Sequence, residues 1–143
     1  MPHTVQQLLT MSQADLDALF TASPPGDIPS GEATGTAIIA PGTSFSSEIA
    51  RAIKLLAWQG KVFDPASSTL SNKVLPFGIN SVIAKVYKDQ SWLDGKECIV
   101  LDYSDTSIVA HYIRDEIRLI SPGFDLGVVY WGKDRLIHFC LQF

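Results

Sequence analysis

The sequence predicts an α+β protein by content, mainly β, in which short N-terminal helices precede a closed antiparallel β-barrel. Three observations lead there. After Gly60, short apolar segments recur between turn residues. No helical stretch of about 10–15 residues lies among them, which disfavours parallel βαβ winding and favours a meander. Seven or eight strands in sequence commonly avoid exposed edges by closing on themselves.

The elements follow in order. Thr4-Val5-Gln6-Gln7 has the form of a capping box, and Ser12-Gln13-Ala14-Asp15 repeats it with Asp in place of Glu. Leu16, Leu19 and Phe20 then share one helical face, so the first 22 residues read as two short helices. Ser23 to Gly31 is rich in Pro and Gly and reads as a loop, with Ile28 expected to pin it to the body. Thr36–Ala40 is a short strand candidate. A helix is expected near 47–58, where Ile49, Ala52, Ile53 and Leu56 form one apolar stripe. Strands are expected near 61–64, 69–76, 79–88, 97–104, 107–120, 124–131 and 135–143, and the 107–120 stretch should be divided by a bend or bulge. The 143 residues make a single domain, with 1–30 as a helical arm and loop and 31–143 as the barrel.

Composition narrows the function classes. Hydrophobic residues are 46% and charged residues 18%, enough for one sizeable core and unlike a disordered chain. The balance of 11 Lys+Arg against 15 Asp+Glu leaves no basic footprint for nucleic acid or anionic membrane. No secretory signal is visible at the N-terminus, and the longest apolar runs, about four residues, fall far short of a membrane span. The expectation is a cytoplasmic protein. Cys98 and Cys140 sit in apolar runs and read as reduced core thiols.

Alternation separates the strand faces. In 113–120, Ile113, Asp115, Ile117 and Leu119 are expected to face the core, while Arg114, Glu116, Arg118 and Ile120 are expected to see water. If these faces are inverted, Glu116 and the arginines would point inward and demand a polar or anionic ligand. Several strands are apolar on both faces, which fits a barrel partly covered outside by the N-terminal helices. An eight-stranded barrel is just wide enough to be filled by side chains or to hold one small ligand.

The strings Trp58-Gln59-Gly60-Lys61-Val62-Phe63, Ser91-Trp92-Leu93-Asp94-Gly95-Lys96, Leu101-Asp102-Tyr103-Ser104 and Arg114-Asp115-Glu116-Ile117-Arg118 resemble a family of small uncharacterised bacterial proteins. That resemblance implies no activity. More loosely, a tryptophan entering the first strand of a meander is similar to lipocalin-like (calycin) barrels. This likeness implies a small apolar ligand, and some such barrels catalyse isomerisation or cyclisation. Here the order is Trp58-Gln59-Gly60 rather than Gly-x-Trp. The Trp–Arg contact closing the barrel base would map onto Trp58 and Arg118.

Candidate chemistry centres on carboxylates. Asp102 and Asp115 lie in apolar strand contexts, where an ionised carboxylate is costly unless paired. Each then either has a partner such as Arg114, Arg118, Lys85 or His138, or titrates near neutrality and can move protons. The leading expectation is a cofactor-independent enzyme of isomerase, cyclase or lyase type acting on an apolar or aromatic substrate. Its catalytic candidates are Asp115, Asp102 and His138. Tyr103, Tyr130, Tyr87, Lys85, Phe139 and Arg118 are the substrate-binding candidates. A non-catalytic carrier or sensor of a hydrophobic ligand is the alternative, and a homo-oligomeric structural protein the third. The spacings of His3, His111 and His138 match no metal motif, and no nucleotide-binding motif is present.

Overall fold

In the computed structural model, residues 3–38, 61–74, 79–104 and 112–143 are described, with 72–74 and 79–82 described by backbone alone. The expected helix near 47–58, Trp58, Phe77, His111 and the start of the 107–120 segment lie outside the described residues. The elements are α1 (Val5–Leu9), α2 (Gln13–Thr21) and eight strands: β1 (Gly31–Ile38), β2 (Lys61–Asp64), β3 (Thr69–Val74), β4 (Ile79–Gln90), β5 (Glu97–Asp102), β6 (Ile113–Ser121), β7 (Phe124–Trp131) and β8 (Asp134–Gln142). All neighbours are antiparallel, and β8 pairs with both β7 and β1, so the barrel is closed in simple sequential order.

The helix starts are local chemistry. Thr4 Oγ1 accepts from the Gln7 amide at 3.2 Å and the Gln7 side chain accepts from the Thr4 amide at 3.0 Å, a complete capping box. Ser12 Oγ accepts from the Asp15 amide at 3.1 Å. The first strand starts earlier than expected, at Gly31 rather than Thr36, and the expected positions 39 and 40 lie outside the described residues. Gly31-Glu32-Ala33-Thr34-Gly35 has weak strand propensity. Pairing of Ala33 with Lys61 and of Gly35 with Leu141 overrides it.

Two apolar layers form. Inside, Phe63, Leu70, Val86, Leu101, Ile117 and Phe139 pack with one another. Gly127 makes room for Phe139: a Cβ there would stand 2.2 Å from the ring. Outside, Leu8, Leu16 and Phe20 of the arm cover Val100, Leu126, Val128 and Cys140. That cover is why β7 is buried on both faces. Ile28 packs against the interior cluster, and the Leu119 amide donates to the Pro24 carbonyl at 2.9 Å, so the loop after α2 is fixed at one end of the barrel. Among the described residues, no helix is long and apolar enough to cross a membrane.

One expectation about β6 is overturned. Arg114, Glu116 and Arg118 do share the outer face, but Glu116 and Arg118 are not in water: they are 0% and 1% exposed. The arm and the turn between β4 and β5 lie over them. Burial is tolerated because every charge is met. Arg118 binds Asp94 through two bonds of 2.7 and 2.8 Å and donates to the carbonyls of Phe20, Lys96 and Glu97.

Candidate functional site

Three side chains of the interior form its polar centre. Lys61 opens β2 and points inward, alternating with Val62 ahead of the interior Phe63. Tyr103 follows β5, and Asp115 is the third residue of β6, in register with Leu101 and Val129. Lys61 Nζ crosses the interior to donate to Tyr103 Oη at 2.9 Å and stands 3.8 Å from Asp115 Oδ2. Lys61 and Asp115 are each 2% exposed. The ammonium also lies 5.6 Å from the centroid of the Phe139 ring, on its face.

The Asp115 carboxylate is incompletely satisfied among the described residues. At 3.8 Å the Lys61–Asp115 contact is an ion pair without a hydrogen bond. Asp115 Oδ1 is buried and has no hydrogen-bond partner among the described residues. Burial pushes the Asp115 carboxyl up to about 6, with Lys61 opposing and Glu116 reinforcing. Burial likewise draws the Lys61 ammonium down to about 8 against the pull of Asp115. Both groups therefore titrate within reach of neutral pH, the condition for proton transfer. A second interior carboxylate, Asp125 of β7, lies in register with Leu119 and Leu141 at the end held by the arm's loop. Burial alone pushes it up to about 7. Four residues of ladder separate it from the level of Asp115, roughly 13 Å.

The other expected site residues are distributed differently. Asp115, Tyr103 and Phe139 are interior, as expected. Asp102 is on the outer face. It pairs across from Lys85, accepts from Tyr87 Oη at 2.8 Å and accepts from the Ser104 amide at 2.9 Å. Burial raises its carboxyl, but the bonds from Ser104 and Tyr87 and the charge of Lys85 outweigh that and hold it below the ordinary value. Lys85 and Tyr87 face outward because Ala84 and Val86 take the inward positions of β4. His138 faces outward beneath α2, its Nε2 2.9 Å from Asp17 Oδ1. Burial lowers its pKa despite that carboxylate. Tyr130 faces outward and meets Trp92. Arg118 is the outer clamp already described and holds its place over the Phe20 ring, 4.5 Å from the centroid. Asp102 and His138 therefore do not converge with Asp115.

Sequence reasoning missed Lys61 and Asp125. A lysine at the mouth of a strand reads as a surface residue. Its signal was its alternation with Phe63 two positions on. Asp125 alternates with Gly127 and Val129, a face that gives no strong apolar signature. Both cysteines are buried and free, with thiols pushed up by burial to about 12 for Cys98 and 11 for Cys140, so they stay protonated. Among the described residues, no group of three or more His, Cys, Asp or Glu could hold a metal.

The fold and this centre define a closed eight-stranded antiparallel barrel enclosing a Lys–Tyr–Asp cluster. No family model and no curated protein matches the chain. Among solved structures it is similar to a protein from Thermomonospora curvata, with a TM-score of 0.63 and 17% identity over 92% of this chain and 87% of that one. At that identity the likeness is one of fold.

Proposed function

We propose that the barrel is a small-molecule-binding enzyme that moves protons on an apolar or aromatic substrate without a cofactor, using Asp115 as base and acid. The observation that carries this reading is the buried, unpartnered Oδ1 of Asp115 in a carboxyl raised toward neutrality. A buried acceptor without a donor is costly in a purely structural pair. It is well suited to receive a proton from a substrate carbon beside a carbonyl. Lys61 and Tyr103 would bind the oxygen on which negative charge develops, and Asp115 would then return the proton to the same α-carbon or, where a β,γ double bond makes a dienolate, to its γ-carbon. The loose resemblance of the sequence to lipocalin-like barrels fits the same use of an apolar interior. Asp102 and His138, on the outer face, have no part in this scheme.

The test is deuterium wash-in. Apolar aryl ketones are incubated with the protein in D2O and exchange of the acidic C–H is followed by NMR. The wild type should accelerate exchange for a substrate that fits, and Asp115→Asn should lower that rate by roughly 100-fold or more. Exchange that is equally fast with Asp115→Asn removes the residue from the chemistry. Retention of a bound hydrophobic molecule in native mass spectra, with no exchange on any ketone, favours the carrier reading.

A further inference from the structure

The turn between β4 and β5 presents Trp92 to solvent, 45% exposed. Two buried side chains of β6 hold that turn. Glu116 accepts from Ser91 Oγ at 2.6 Å and from the Trp92 amide at 2.8 Å, while Ser91 Oγ accepts from the Leu93 amide at 3.0 Å. Arg118 grips Asp94 on the same turn. The indole meets the Tyr130 ring edge to face, with centroids 5.1 Å apart and planes at 71°. The Arg114 guanidinium stands 4.2 Å from its centroid. The exposed indole is thus a pre-set wall rather than a loose surface side chain.

Beside that wall opens a cleft of about 390 Å³ lined by Trp92, Leu93, Tyr130, Lys133 and Arg135. This is within the range of small-molecule sites. Lys133, on the tight turn between β7 and β8, stands 5.2 Å from the Trp92 centroid. It makes no ion pair among the described residues, whereas Arg114 is met by Glu116 and Arg135 by Asp17. In a chain of net charge −4, the cleft joins two aromatic walls to an ammonium without a counter-charge.

We propose that this outer cleft binds a small aromatic carboxylate, its ring against Trp92 and Tyr130 and its carboxylate on Lys133 and Arg135. The site is separate from the interior centre and does not depend on the reading given for it. A neutral ring leaves Lys133 without a counter-charge, and an aliphatic anion leaves the indole wall in water. Both should bind less well.

The experiment is calorimetric titration of the full chain with 2-naphthoate at low salt, beside 2-naphthamide. Saturable binding is expected, at least tenfold weaker for the amide and weakening as salt is added. Trp92→Ala and Lys133→Glu should each lose tenfold or more, and Asp115→Asn should bind as the wild type does. Lys133→Glu leaves the aromatic wall and its anchors intact, so its loss cannot be ascribed to unfolding once melting is shown unchanged. No binding at millimolar naphthoate overturns the proposal, as does equal affinity for the amide or for Lys133→Glu. Loss of binding in Asp115→Asn would place the ligand inside the barrel and overturn it equally.

Discussion

The barrel buries charge in two places, and it treats them differently. On the outer face of β6, Glu116 accepts from Ser91, Trp92 and Arg114, and Arg118 donates to Asp94 of the same turn and to the carbonyl of Phe20 at a helix end. In the interior, Lys61 and Asp115 face each other at 3.8 Å with one carboxylate oxygen unmet. Both sets are as buried as core leucines. Burial alone therefore does not separate a structural charge from a reactive one, and satisfaction does. A fully bonded ion locks covering elements to the barrel. An under-bonded carboxylate keeps its titration near neutrality and leaves an acceptor for a ligand.

Substitutions can break this contrast. The largest effect is expected on the outer side. Arg118→Ala strands Asp94 and three carbonyls, and should cost about 3–5 kcal/mol in urea unfolding. Glu116→Gln keeps shape but removes the charge that holds Ser91, Trp92 and Arg114, and about 2 kcal/mol should be lost. Asp115→Asn, by contrast, should cost clearly less than Arg118→Ala, because the Lys61 ammonium it strands is already drawn down to about 8 and can lose its proton. A cost of Asp115→Asn matching that of Arg118→Ala would erase the distinction between the two regions.

Legibility in the sequence follows the same division. Strand positions were readable because short apolar segments recur between turns of Gly, Pro and Asp, and β7 falls on 124–131 as expected. The helix starts were readable because capping is local, as at Thr4 and Ser12. The inward direction of Asp115 was readable from its flanking Ile113 and Ile117. The burial of Glu116 and Arg118 was not, because their cover comes from residues some 20 to 100 positions away, such as Asp94 and Phe20. Asp102 and His138 misled for a related reason. Their strands are apolar on both faces, so alternation cannot say which face is inside. Long-range register, such as Lys85 opposite Asp102, decides it.

A smaller, pH-dependent effect sharpens the comparison. Burial raises Asp125 to about 7, whereas the unfolded carboxyl titrates at its ordinary value near 3.8. The folded state thus keeps a proton that the unfolded chain has already lost, and stability falls as pH rises from about 4 to 7. Asp115 adds to this fall up to about 6. Lys61, drawn down to about 8, works oppositely: stability rises from about pH 8 toward 10.5 as the folded amine stays neutral and the unfolded one loses its proton. Asp125→Asn should flatten the acid limb of a plot of urea midpoint against pH and leave the alkaline limb in place.

The central claim, that the interior pair is kept for chemistry and not for stability, is tested most directly by removing both partners together. Lys61→Met with Asp115→Leu replaces the pair by apolar side chains of similar length and leaves no stranded charge. Equilibrium urea unfolding at neutral pH should find this double variant as stable as the wild type or more so, by about 1–4 kcal/mol at most. A loss of about 3 kcal/mol or more would show that the pair holds the barrel together, and would contradict the account.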